Sequence, residues 1–330
     1  MNYGKKSTAK KRTALISRSS MMGKRARVSF IRVLFVSLIA LCIAVTCLGV
    51  GSFRGVIDTA PDVDDIDIMP LGYATFLYDD AGNQIRKLAA PDSNRLPVTL
   101  DQIPVDLQHA VVAIEDERFY EHNGIDIQGI LRAGVVGVMN GFDFTEGAST
   151  LTQQLIKNNV FDFVNEKTFF DRVERKLQEQ YLALAFEKEM NKNEILEAYL
   201  NTINLGQGCL GVQTASTRYF NKDVSELTLS ESAVIAGITQ SPGNLNPITN
   251  PQKNQKRRDK VLKNMLKQGY IDQAAYDEAM ADDVYARIQS VNETQTDSSN
   301  AYSYFVDALA DQVMNDLQDQ CGFSETQAYN

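Results

Sequence analysis

The chain has 330 residues, 44% of them apolar, with 20 Gly and 8 Pro, a composition that fits a folded globular protein and excludes a disordered one. Its charge is unevenly placed: residues 1–32 hold ten of the 33 Lys and Arg and no acid, which leaves 23 basic against 42 acidic residues, a formal net of −19, for the remainder. A cationic end on an acidic body points to membrane topology and away from nucleic acid, and two histidines in the whole chain exclude a His-rich zinc site.

Residues 33–51 (VLFVSLIALCIAVTCLGVG) carry no charge. Nineteen helical residues span about 28 Å, close to the hydrocarbon thickness of a bilayer. Ten cations precede the segment, and Asp58, Asp62, Asp64, Asp65 and Asp67 follow it, an asymmetry that predicts a cytoplasmic N-terminus. The long basic region and the lack of a small-x-small site favour an uncleaved signal anchor over a cleaved signal peptide. Cys42 and Cys47 fall inside this segment; Cys209 and Cys321 lie outside it, far apart, and are not expected to pair.

Thr75–Tyr78 and Gln84–Leu88, around the turn Asp79-Asp80-Ala81-Gly82-Asn83, predict a β-hairpin. Ile103-Pro104 opens a helix with Pro early in its first turn. In that helix Leu107, Val111 and Ile114 form one apolar stripe, with Glu115 at its edge. A carboxylate placed there is partly desolvated, which suits it to act as a general base. Asp116, Phe119 and His122 mark the helix end, and Gly124 fits a C-terminal cap.

Residues 125–144 carry ten large apolar side chains, from Ile125 to Phe144, and read either as a buried helix or as a segment dipping into the outer leaflet. Next, Gly147-Ala148-Ser149-Thr150 is a small-residue loop opening a helix with Gln153, Gln154 and Lys157, a good place to hold an anionic group.

Residues 171–189 predict a long helix whose core stripe is Val173, Leu177, Tyr181 and Leu184; Arg175 and Glu179 share another face, continued by Leu182 and Phe186. By themselves Arg175 and Glu179 read as a surface ion pair. Residues 192–201 (KNEILEAYLN) and 212–219 are further helices, separated by a Gly-punctuated turn in which Cys209 reads as a buried hydrophobe. Residues 228–239 begin with a Thr/Ser cap and become an apolar helix that Gln240-Ser241-Pro242 ends. Arg257-Arg258-Asp259-Lys260-Val261-Leu262 lies on a basic helix, residues 290–300 are a polar linker, and Phe305, Leu309, Val313 and Leu317 space a last amphipathic helix.

Five of these stretches, in order, resemble the motifs of the family 51 glycosyltransferases, the peptidoglycan transglycosylases. They are E-D-x-x-F-x-x-H-x-G from Glu115, G-A-S-T-x-x-Q-Q from Gly147, R-K-x-x-E from Arg175, K-x-x-I-L-E-x-Y-L-N from Lys192 and R-R-x-x-V-L from Arg257. The family comprises monofunctional transglycosylases and the N-terminal part of class A penicillin-binding proteins, and both remain open here. The S-x-x-K, S-x-N and K-T-G set of a transpeptidase domain is not assembled in the sequence, so no such domain is expected in residues 290–330.

The fold the resemblance implies is mainly α: a lysozyme-like transglycosylase domain (residues 52–289) with a small membrane-facing subdomain, preceded by one transmembrane helix. The implied activity is polymerisation of lipid II into β-1,4-linked glycan strands in the bacterial cell membrane, by inverting displacement of undecaprenyl pyrophosphate. Glu115 would take the proton of the acceptor's 4-hydroxyl. Glu179, the second essential acid, would stabilise the departing pyrophosphate with Arg175, Lys176 and Lys157, directly or through a divalent cation, Mg2+ or Mn2+. Asp116, Phe119, His122, Ser149, Thr150, Gln153 and Gln154 are the further substrate-binding positions, and the fourth motif is structural. The implied partners are lipid II, the growing glycan strand, the membrane and other cell-wall synthesis and division proteins, with no organic cofactor. Two alternatives stand beside this reading. A lytic muramidase would not need the basic residues, and a non-catalytic scaffold would not need both glutamates.

Overall fold

In the computed structural model of the chain, the described residues are 5–16, 18–61, 63, 66, 74–88, 94–140, 147–161, 168–295 and 304–323. The chain divides into two compact units, residues 1–60 and 61–330. In the first, α1 (Lys5–Ile16) is followed by α2 (Arg18–Asp58) and a short turn. Its stretch Val28–Asp58 is long and apolar enough to cross a membrane, and Phe30, Leu34, Leu38, Leu41 and Leu48 all present their side chains outward. The helix therefore extends beyond the 33–51 core on both sides, because the flanking residues are good helix formers and no Pro or cap interrupts them.

Among its described residues the second unit is mainly α, with one antiparallel hairpin, β1 (Thr75–Tyr78) and β2 (Gln84–Leu88), at the predicted bounds and with a register shift between Leu77 and Tyr78. Asp79 closes that turn by accepting from the backbone of Ala81 and Asn83. The helical body starts with α3 (Val105–Glu115), α4 (Ile127–Met139), α5 (Leu151–Val160) and α6 (Phe169–Glu189). It continues with α7 (Lys192–Thr202), α8 (Val212–Phe220), α9 (Leu229–Ile238) and α10 (Pro251–Lys267), then α11 (Gln273–Ala281), α12 (Val284–Gln295) and α13 (Tyr304–Cys321).

α9 is the axis of this body. Nine of its ten residues are buried, as expected of a helix that is apolar on every side, and it packs against α3 and α10. Its start is fixed by a capping box in which Thr228 accepts from the Glu231 backbone and Glu231 accepts from that of Thr228. The fully buried Glu231 carboxylate is also held by Lys222 and Arg287. α5 packs between α6 and α7. The same N-terminal chemistry starts α6 (Thr168 with Asp171) and α7 (Asn191 with Glu194).

Five expectations are corrected. Pro104 sits at the N-cap of α3, one place before its first turn. Asp116 is that helix's C-cap, and Gly124 (φ +86°) instead shapes a later turn pressed against the α6 backbone. The buried face of α6 is Gln178, Glu179, Leu182, Ala183 and Phe186, whereas Val173, Tyr181 and Leu184 are exposed. Both faces are apolar enough to be core, and packing against other elements, α5 among them, settles which is buried. α4 is not an ordinary buried helix: Gly129, Ala133 and Gly137 face inward, while Ile127, Leu131, Val135, Val138 and Met139 face out. Phe142 and Phe144 of that apolar run lie outside the described residues. Finally, residues 290–295 are the end of α12, not linker.

Cys209 is buried, as expected, and burial raises its thiol to about 11; all four cysteines are free. Gly124 offers a direct stability test. A Cβ there would lie 2.5 Å from the Ala183 carbonyl oxygen in a backbone conformation that disfavours side chains. Gly124→Ala is expected to cost on the order of 2 kcal/mol and lower the thermal midpoint by roughly 4–8 °C, read by calorimetry of the detergent-solubilised protein.

Candidate active site

The site is built at the C-terminal end of α3, where Glu115 leaves the apolar stripe. Leu107 and Val111 anchor that stripe in the core with at most 1% of their surface exposed. Asn264 of α10 and Gln268 at its C-cap both donate to the Ala113 carbonyl, so this carbonyl near the open end of α3 is satisfied by its neighbour and held in direction.

The Glu115 side chain is 12% exposed, and its carboxylate is the convergence point of three helices. Oε1 accepts from the Thr239 hydroxyl at the end of α9 (2.6 Å) and from the Arg257 guanidinium of α10 (3.3 Å). Oε2 accepts from the Gln154 amide of α5 (3.0 Å). The Gln154 carbonyl in turn accepts from the hydroxyl of Tyr199 on α7 (3.1 Å). Burial, and then the negative charges of Glu115 and Asp116, push that phenol well above its usual range, so it stays a neutral donor. The family-like Gln154 and Arg257 thus reach Glu115 directly.

Asp116 and the loop at 147–150 form a second, interior layer. The Asp116 carboxylate accepts from the Leu151 backbone N–H (2.9 Å) and faces His122 Nε2 at 3.0 and 3.1 Å. The start of α5 does hold an anion, as its small-residue loop predicts, but the anion is the protein's own. Thr150 caps α5 by accepting from the Gln153 backbone, and its hydroxyl donates to the Gly124 carbonyl. The Gln153 side chain also donates to that carbonyl. Asp116, Thr150 and Gln153 are buried, and the His122 side chain is only 8% exposed.

Phe119 is wholly buried, with the Lys192 ammonium 4.5 Å from its ring centroid. Lys192 pairs with Glu187, which accepts from Thr152, so this cluster ties α5, α6 and α7 together beneath the site. The structure thus places Phe119 inside the fold and sets His122 against Asp116 through Nε2, with its Nδ1 unpartnered among the described residues.

The second carboxylate, Glu179, has no exposed surface, which corrects its reading as part of a surface pair. Arg175 binds one of its oxygens and Lys176 the other (2.6 Å). Lys176 also donates to the Ser149 hydroxyl (3.0 Å), and its side chain stays 42% exposed. Ser149 and Glu115 line one small cavity of about 20 Å3, so the loop joins the two carboxylate clusters. Lys157 lies in the last turn of α5, about 9 Å along the helix from its first residue, Leu151, and so toward the far end from the Lys176 contact. Both Glu179 oxygens are taken by cations, and among the described residues no three His, Cys, Asp or Glu side chains converge as metal ligands. The donor set does not fit a protein-held divalent ion.

Sequence reasoning missed Thr239. It ends α9 without belonging to any periodic pattern, and no local signal points to it. Arg257 was visible only as half of an arginine pair. Its neighbour Arg258 does something else: it is 2% exposed and donates to the carbonyls of Met280 and Asp282, pinning the α11–α12 corner.

Comparison with known proteins places these residues in context. A family profile described as Transglycosylase matches residues 81–266. The chain is similar to penicillin-binding protein 1A of Clostridium botulinum strain Langeland, 37% identical over 315 residues, which covers 93% of this chain and 37% of that protein. It is also similar to penicillin-binding protein 1A of Escherichia coli K12, 40% identical over 252 residues, 74% of this chain and 29% of that one. A crystal structure of penicillin-binding protein 1A from Haemophilus influenzae is 26% identical with a TM-score of 0.36, covering 64% of this chain and 21% of the other. The chain spans well under half the length of these relatives.

The buried Glu179 gives a test of the second cluster. Glu179→Ala leaves two cations facing each other without their shared anion. It is expected to cost on the order of 2–3 kcal/mol, a value discounted for the half-exposed Lys176. Glu179→Gln keeps one acceptor and should cost less, which denaturant unfolding of the two variants would show.

Proposed function

The chain belongs to the transglycosylase family, with a peptidoglycan glycosyltransferase domain, and on that premise we propose that it polymerises lipid II into β-1,4-linked glycan strands by an inverting displacement of undecaprenyl pyrophosphate. The donor sugar is α-linked to pyrophosphate and the product bond is β, so a single in-line attack accounts for the stereochemistry. Glu115 takes the proton from the acceptor's 4-hydroxyl as that oxygen bonds the donor's anomeric carbon, and the electron pair of the breaking bond leaves with the pyrophosphate.

The observation that carries this reading is the carboxylate of Glu115, held from three directions. Gln154, Thr239 and Arg257 fix the orientation of Glu115 from three directions, as a base must be fixed to meet one hydroxyl. Lys176, joined to the same loop through Ser149, keeps much of its surface free to meet the charge that grows on the leaving group. Glu179 then acts by holding Arg175 and Lys176 in place and takes no proton itself. Lys157 adds positive charge farther along α5. No divalent cation is assigned to protein ligands, for the donor-set reason above.

A lipid-linked substrate requires the enzyme to work at the bilayer. We read residues 33–51, within the apolar helix Val28–Asp58, as the anchor and residues 1–32 as a cytoplasmic tail, from the ten cations that precede residue 33. Lipid II would then meet the outward apolar face of α4, and the helical body would lie on the extracytoplasmic side. Other cell-wall synthesis and division proteins complete the proposed set of partners.

Incubating the detergent-solubilised chain with labelled lipid II, beside Glu115→Gln, tests the reading. The expected result is a glycan ladder from the wild type and a rate at least about 100-fold lower from the variant, with lipid II still bound. Shortening of pre-formed strands would instead identify a lytic enzyme, and binding without a ladder from either protein would identify a scaffold.

A further inference from the structure

Among the described residues that bond Glu115, Thr239 is the one that can serve the carboxyl both before and after it takes a proton. Its hydroxyl oxygen lies 2.6 Å from Glu115 Oε1 and 2.9 Å from the Ala236 carbonyl, and it has one hydrogen to place between them. The other two groups have no such freedom. A guanidinium is donor-only, so Arg257 cannot accept from a protonated carboxyl. Gln154 presents its amide nitrogen to Glu115 because its carbonyl is engaged by the Tyr199 hydroxyl, so it too offers only a donor.

From this geometry we infer that Thr239 is a positioning residue for the catalytic base, a hydroxyl that reverses its hydrogen bond as Glu115 changes protonation state. With Glu115 as carboxylate, Thr239 donates to Oε1. During glycosyl transfer the acceptor's O–H bond breaks, its oxygen bonds the anomeric carbon, pyrophosphate leaves with the electron pair, and the proton arrives at Glu115. With the proton on Oε1, Glu115 donates to the Thr239 oxygen, whose own hydrogen turns to the Ala236 carbonyl. Both states are satisfied without movement of a heavy atom, which matters at a side chain only 12% exposed, where water is a poor substitute partner. The carbonyl is available for this because α9 ends at Ile238, so no later helical turn claims it.

The inference rests on Glu115 as the base, and its test separates the two. Thr239→Val keeps shape and loses the hydroxyl, Thr239→Ser restores it, and Thr239→Ala is a smaller replacement should Val fail to pack. Each is measured as the full solubilised chain for lipid II polymerisation, with thermal unfolding as the check on folding. Val or Ala is expected to lower kcat roughly 10- to 100-fold with KM for lipid II changed less than about twofold, and Ser to recover to within about threefold of the wild type. A Val or Ala variant at the wild-type rate, a Ser variant as slow as the hydroxyl-free ones, or a loss confined to KM would each overturn it. If Glu115→Gln is inactive while Thr239→Val is normal, only the Thr239 inference falls. If Glu115→Gln is active, the base assignment falls with it.

Discussion

A carboxylate brought almost out of water at a helix end must be met by donors, and in this chain those donors come from elements far apart in sequence. Gln154, Thr239 and Arg257 lie 39, 124 and 142 residues from Glu115. Each can reach it only if α5, α9 and α10 are packed around α3 in one arrangement. The apolar core supplies the force for that packing, and α9, buried on every side, is its centre. Satisfying Glu115 selects which packing is kept, since any arrangement that leaves a buried carboxylate without partners is penalised far more than one that shifts a methyl group.

The same requirement organises the surroundings into two layers. Residues that keep accessible surface, such as Lys176, can meet a ligand. Others with equally polar chemistry are consumed internally: Asp116 between His122 and the start of α5, Thr150 and Gln153 on the Gly124 carbonyl, and Lys192 between Glu187 and Phe119. A contiguous sequence motif therefore mixes both kinds. E-D-x-x-F-x-x-H contributes one carboxylate to the cleft and three side chains to the frame that fixes it. Gly124 belongs to that frame as well, because its carbonyl takes two side chains while a Cβ added to it would run into the α6 backbone.

How much of this was legible in the sequence depended on whether the determinant was local. The hairpin and the starts of α5, α7 and α9 follow from turn and cap residues within a few positions, and the structure has them there. The buried face of α6 was not legible. Both stripes of α6 are largely apolar, and the one that is buried is settled by packing against elements from elsewhere in the chain, α5 among them. Thr239 was invisible for the same reason: its partner is 124 residues away, and nothing near it in sequence distinguishes it from any helix-ending threonine. The motifs carried Gln154 and Arg257 into view, but only the fold showed that both touch the same carboxylate.

α4 shows the opposite case, in which composition was clear and its meaning was not. An amphipathic helix in water buries its large apolar side chains and exposes its small or polar ones. Here Gly129, Ala133 and Gly137 face the protein and the branched side chains face out, starting from an N-cap, Asp126, that a pair of Arg118 hydrogen bonds holds in place. Small residues inward allow close approach to the body, and the rigid cap fixes the direction in which the apolar face points. Such a surface is costly in water and favourable against hydrocarbon. Its start at Ile127, five residues beyond His122 and just past the end of the same motif, ties the aim of the Glu115 carboxyl to the placement of the outward apolar face. A change in the 116–126 turn would then disturb both together, through the Arg118–Asp126 pair on one side and the His122–Asp116 pair on the other.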